Sequence, residues 1–118
     1  MYAPEHIHET ITWQQFEQTD IRVGTILEVH EFPEARKPAY KLTLDLGPLG
    51  NKRSSAQITK HYTPEQLIGQ QVLCVVNLGK KQIGKYISEV LVTGFEDENK
   101  DIILAQPACK VPNGSKLI

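Results

Sequence analysis

The seven residues Tyr40-Lys41-Leu42-Thr43-Leu44-Asp45-Leu46 alternate apolar and polar without a break. Side chains on a strand project to opposite faces with a period of two. The pattern therefore predicts a strand with Tyr40, Leu42, Leu44 and Leu46 inward and Lys41, Thr43 and Asp45 outward. A strand of this kind needs paired neighbours, and the flanking sequence supplies them. Ile21–Phe32 reads as a long strand with Ile21, Val23, Leu27 and Val29 on one face and Arg22, Glu28 and His30 on the other. Gly24 inside it implies a bulge or a close backbone approach. Lys52–Ile58, Gln71–Leu78, Tyr86–Thr93 and Ile102–Leu104 follow as further strands, and Phe95–Asp101 reads as an acidic exposed connection.

Two short helices punctuate the strands. Thr12-Trp13-Gln14-Gln15 fits a capping box, with Ile11 and Phe16 as the hydrophobic staple. A helix over Trp13–Gln18 should result, its Trp13 and Phe16 plugging one end of the core. Thr63-Pro64 opens a second helix, which Gly69 ends after about one turn. Short strands with one helix between the third and fourth predict an all-β domain. The best fit is a five-stranded OB-fold barrel with a short N-terminal helix, one short inter-strand helix and extra C-terminal strands. The 118 residues make a single domain, 1–118, in which residues 1–11 form an N-terminal arm.

Net charge is −1, but the charge is segregated. Residues 1–35 hold seven acids and one base, residues 36–85 nine bases and two acids, and residues 86–118 five acids and three bases. A basic face on a mildly acidic body suits a polyanion better than a small metabolite. An OB barrel presents one sheet face and the loops after its first and fourth strands. In this chain those loops carry Arg36 and Lys37, then Lys80, Lys81 and Lys85.

Catalytic patterns are weak. Ser54 and Ser55 lie near Lys60 and His61, but no glycine elbow frames either serine and no acid is placed in sequence to orient His61. No phosphate-cradling glycine motif is present. Four scattered histidines, including His6 and His8, and two cysteines do not compose a zinc site. The chain is therefore expected to be a non-enzyme with no cofactor and no metal. Cys74 sits in the apolar run QVLCVVNL, where it acts as a small hydrophobe. With no leader, no cysteine framework and no ~20-residue apolar run, the expected location is cytoplasmic, with no membrane partner.

The stretches Asp20-Ile21-Arg22-Val23-Gly24-Thr25-Ile26, Phe32-Pro33-Glu34-Ala35, Ser54-Ser55-Ala56-Gln57-Ile58, Tyr62-Thr63-Pro64-Glu65-Gln66-Leu67-Ile68-Gly69 and Val75-Val76-Asn77-Leu78, continuing through Gly84 to Ser88-Glu89, resemble the tRNA-binding domain family. The likeness runs from about residue 12 to 118 and is strongest to its free-standing, secretion-related chaperone members. The resemblance implies a homodimer that recognises tRNA by shape, with chaperone-like capture of unfolded or preprotein polypeptides. It assigns nucleic-acid contacts to Arg36, Lys37, Lys80, Lys81, Lys85 and Ser88. Arg53, within the basic segment, completes the expected set. Many members place a methionine shortly after that serine, whereas Val90 and Leu91 occupy the region here.

Two functional readings stand side by side. In the first, the basic loops bind tRNA and peptide capture accompanies it. In the alternative, the chain is a peptide-binding secretion chaperone with RNA binding incidental. Phe32, Pro33, Pro38 and Tyr40 are its candidate peptide-binding residues, lining a groove at a dimer seam.

Overall fold

The alternation of Tyr40–Leu46 is realised residue by residue. Tyr40, Leu42, Leu44 and Leu46 are at most 7% exposed and form the centre of the core, while Lys41, Thr43 and Asp45 are half-exposed. The computed structural model describes residues 5–118, so the first four residues of the expected arm lie outside it, and residues 5–11 are exposed. The chain runs α1 (Trp13–Glu17), β1 (Ile21–Glu31), β2 (Tyr40–Asp45), a 3-10 turn (Gly47–Leu49), β3 (Asn51–Ala56), α2 (Pro64–Leu67) and β4 (Gln71–Val75). It continues as β5 (Lys81–Ile83), β6 (Tyr86–Ser88), β7 (Leu91–Val92), β8 (Gly94–Glu96) and β9 (Ile102–Leu104).

The main sheet is antiparallel in the order β3-β2-β1-β4-β7. It nearly closes on itself where the Glu89 amide donates to the Arg53 carbonyl at 2.8 Å and the Ser55 amide donates to Ser88 Oγ at 3.3 Å. This is the expected five-stranded barrel, with β5–β6 and β8–β9 added as separate hairpins. The C-terminal segment lies along β1: Val23 donates to Ser115, Gly114 to Val23, and Leu117 to Ile21, at 2.7–3.0 Å. An otherwise open strand edge is thereby covered.

Several expectations need correction. The register of β1 shifts between Ile26 and Glu28, a bulge three residues beyond Gly24. The core receives Gly24 and Ile26 from this strand, and Leu27 is 41% exposed. Val23 is buried on the opposite face, beneath the C-terminal segment. Gly24 serves instead as a close approach, since a Cβ there would lie 2.8 Å from Leu46 Cδ2. Helix α1 carries its full capping box, with reciprocal Thr12–Gln15 bonds of 3.1 and 2.8 Å, yet it buries nothing. Trp13 is 81% and Phe16 37% exposed, so neither plugs the barrel. Leu67 of α2, fully buried, contributes to the core instead. The expected strand Tyr86–Thr93 is divided into β6 and β7, because Glu89 and Val90 turn their amides to Arg53. Glu96, expected in a loop, ends β8 and pairs with Ile102.

Candidate nucleic-acid interface

The outer face of β2 and β3 places Lys41 opposite Ser55 and Thr43 opposite Arg53. Two projections flank this face. The first is the loop after β1. Its neck is closed where Phe32 donates to the Ala39 carbonyl at 3.2 Å and Ala35 to the Phe32 carbonyl at 3.1 Å, which leaves Arg36 and Lys37 exposed. The second is the β5–β6 hairpin, with Lys81 opposite Ser88 and Ile83 opposite Tyr86. Its turn holds Gly84 at φ +60°, a left-handed conformation that costs other residues about 1–2 kcal/mol. Lys81, expected within a turn, is in fact the first residue of β5, next to Lys80.

An aromatic seam joins the projections. Phe32 and Tyr86 meet edge to face at 5.3 Å between centroids. Lys41 Nζ lies 5.4 Å from the Phe32 centroid and 5.8 Å from that of Tyr86, and the Arg53 guanidinium lies 5.6 Å from Tyr86. Each cation gains from the ring's negative face. The Tyr86 hydroxyl donates to the Ser54 carbonyl at 3.1 Å, with the Leu42 carbonyl as a longer second acceptor at 3.4 Å. Burial pushes the Tyr86 hydroxyl above the usual tyrosine range, so it stays a neutral donor.

The sequence-assigned residues divide into two groups. Arg36, Lys37, Lys80, Lys81 and Lys85 are exposed. Ion pairs among the described residues involve Arg22, Arg53, Lys116, His6, His30 and His61, and leave these five cations and Lys41 unneutralised. Arg53, also exposed, and the half-buried Ser88 are engaged by neighbouring groups of the protein. Arg53 pairs with Glu89 at 3.6 Å and its amide donates to the Glu89 carboxylate at 3.1 Å. Ser88 Oγ accepts from the Ser55 amide and donates to the Val90 carbonyl at 3.3 Å. These two fix the hairpin to the barrel and thereby position its lysines. Lys41 and Tyr86 were missed: Lys41 reads from its alternation as a solvated strand residue, and no local signal marks its approach to two rings.

The candidate peptide residues are likewise separated. Pro33 and Pro38 are exposed, but Tyr40 is 7% exposed, belongs to the core cluster and donates its hydroxyl to the Tyr62 carbonyl at 2.8 Å. Its ring is therefore held within the core. Phe32, 5% exposed, is among the residues that line a surface recess.

Nor do the groups for nucleophilic catalysis converge. Ser54 is fully buried and its hydroxyl donates to the Ser55 carbonyl. His61 does have an acid: its Nε2 is 2.7 Å from Asp97 Oδ2, contrary to the sequence expectation. The partner comes from the β8–β9 turn, 36 residues away, where local spacing gives no sign of it. The other Asp97 oxygen accepts amide protons from Asn99 at 2.8 Å and Asp101 at 2.9 Å. The Asp101 amide and then His61 hold the Asp97 carboxyl below the usual range. This group clamps two chain segments together.

The profile of a tRNA binding domain family matches residues 21–116. The chain is 36% identical over 111 residues to the methionine–tRNA ligase of Porphyromonas gingivalis, a match covering 94% of this chain and 16% of the ligase. The chaperone CsaA of Bacillus anthracis superposes with a TM-score of 0.88 at 47% identity, covering 93% of this chain and all of that one. CsaA of Picrophilus torridus superposes at 0.86 with 44% identity, covering 92% of this chain and all of the other.

Proposed function

The chain belongs to the tRNA-binding domain family, and from that premise we propose that it binds tRNA by shape, as a non-catalytic homodimer acting in the cytoplasm. The single observation that carries this reading is the set of unneutralised cations on both flanks of one barrel face: Arg36 and Lys37 on one side, Lys80, Lys81 and Lys85 on the other. RNA helices hide their base edges in a deep major groove, so cations held in fixed geometry read phosphates and exposed nucleotides. A chain of net charge −1 binds RNA weakly as one copy, and two copies add their contacts through effective concentration. The exposed Ile11, Trp13 and Phe95 supply apolar area of the kind that a second copy covers. Among the described residues no helix is long and apolar enough to cross a membrane.

A second reading, chaperone-like capture of unfolded or preprotein polypeptides, is favoured by the likeness to the two CsaA chaperones. In its stronger form, peptide capture is the primary role and RNA binding incidental.

Anisotropy of labelled tRNA, titrated across ~50–300 mM salt, tests the first reading, and an aggregation assay on an unfolded client tests the second. Log affinity should fall linearly with log salt by roughly 0.7–0.9 per phosphate contact. A slope worth several contacts, with tRNA resisting competition by plain duplex RNA, supports the first reading. Absence of binding at the lowest salt overturns it. Suppression of client aggregation by the dimer supports the second, and none at several-fold excess counts against it.

A further inference from the structure

Between the loop after β1 and the β5–β6 hairpin lies a surface recess of about 400 Å³. That is at the lower end of the ~300–1,000 Å³ typical of small-ligand sites. Its apolar lining comes from Phe32, Ala35 and Ala39 at the loop, Ala56 at the end of β3 and Ile83 on the hairpin. The rim is cationic, with Arg36 and Lys37 on one side and Lys81 on the other. Ser55 and Gln57 of the β3 strand and its extension add groups able to donate and accept hydrogen bonds, and no carboxylate lines the recess. A duplex backbone needs only the cations. An apolar wall of small side chains instead fits a flat ring system, and the rim fits an attached anion.

We infer that this recess seats a single unpaired nucleotide of the bound RNA, its base against the alanine wall and its phosphate between Lys81 and the Arg36–Lys37 pair. The inference rests on the RNA-binding reading and gives it a specific contact. The alanines at 35, 39 and 56 make the room: a larger side chain at any of them would fill the space a base occupies. The edge-to-face Phe32–Tyr86 pair, with Lys41 across both rings, fixes the wall behind it. Gln57 offers an amide whose two ends can match a base edge, so modest base preference belongs to this position.

The test is a titration of the isotope-labelled full chain, followed by NMR, with a four-residue single-stranded oligoribonucleotide, a blunt RNA duplex and inorganic phosphate. The tetranucleotide should saturably shift the methyl signals of Ala35, Ala56 and Ile83. The duplex should shift the lysine-bearing backbone of the hairpin and leave those methyls in place, and phosphate should leave them in place at equal concentration. Ala35→Leu, on an exposed loop, should weaken the tetranucleotide about fivefold or more, the order of one lost base contact, with its salt slope unchanged. Lys81→Ala should lower both its affinity and its slope, the latter by roughly 0.7. Equal methyl shifts from phosphate or duplex would overturn the assignment, as would full affinity in Ala35→Leu. A short unfolded peptide that shifts the same methyls at lower concentration than the tetranucleotide would reassign the recess. If tRNA binds while the tetranucleotide leaves the recess untouched, only the recess inference falls. If neither binds, the RNA-binding reading falls with it.

Discussion

Two short hairpins project from this barrel with opposite charge. The β5–β6 hairpin carries Lys80, Lys81 and Lys85 at or beside its strands, and the β8–β9 hairpin carries Glu96, Asp97, Glu98 and Asp101 with one lysine, Lys100. Each pairs three residues with three. They differ in what holds their charged groups. A carboxylate accepts hydrogen bonds and can close its own turn, as Asp97 does with the amides of Asn99 and Asp101 while also gripping His61. An ammonium only donates, and among the described residues those of Lys80, Lys81 and Lys85 form no ion pair. The basic hairpin is therefore secured at its base by Tyr86, Ser88 and Glu89, and its lysines stay free. One hairpin spends its charge on structure; the other displays it.

The largest effect should come from removing the displayed charge. Replacing Lys80, Lys81 and Lys85 together by alanine should lower the salt slope of tRNA binding by roughly two and weaken binding about 100-fold near 0.1 M salt. Anisotropy measures both, and an unchanged slope would remove these lysines from the interface. Next comes the geometry that aims them. Gly84→Ala meets no neighbour within 4 Å but must adopt φ near +60°. The strain is about 1 kcal/mol and confined to the hairpin, so tRNA affinity should fall roughly fivefold while the urea midpoint of the whole domain barely moves. A large loss of global stability would show that the hairpin is part of the cooperative core.

The acidic hairpin should respond to pH. Asp97 has its carboxyl lowered below 3.8 in the folded state, by the Asp101 amide first and then His61. Its stabilisation is thus complete above the unfolded value and is lost as pH falls through the folded one. Asp20, lowered mainly by its 2.7 Å bond from Arg22, acts with the same sign. Asp97→Asn should flatten the acid limb of the stability–pH curve without altering tRNA affinity. An identical acid limb in the variant would show that the clamp contributes nothing measurable.

Much of the barrel is legible in the sequence because its cues are local. The alternation of Tyr40–Leu46, the capping box at Thr12 and the Thr63-Pro64 helix start each depend on a few adjacent residues, and each appears as expected. What fails is non-local. The bulge after Ile26 reverses which face of β1 is inward, and only pairing with β2 reveals it. Trp13 and Phe16 have the composition of core residues, but a five-residue helix outside the barrel has no core to reach. The candidate interface divides in the same way. Its exposed cations follow from charge segregation along the chain, whereas Tyr86 meets Phe32, Lys41 and Ser54 across 32 to 54 residues. The engagement of Ser88 and Arg53 also requires the neighbouring strand.

The smallest expected effect sharpens the contrast most. If the acidic hairpin contributes structure and little field, replacing Glu96 and Glu98 by glutamine should change the salt slope of tRNA binding by well under the roughly 0.7 of one phosphate contact, since none is gained. Screening over about 8 Å at 0.15 M salt confines any relieved repulsion to close neighbours, so affinity should rise less than about twofold. At 0.01 M salt the screening length grows to about 30 Å, long enough to reach across a domain of this size, and the gain should become larger. A twofold rise at low salt that vanishes at 0.15 M places the acidic residues outside the contact surface. A large gain that persists at 0.15 M would mean that RNA passes close to the β8–β9 hairpin. The interface would then extend well beyond the face between the two basic projections.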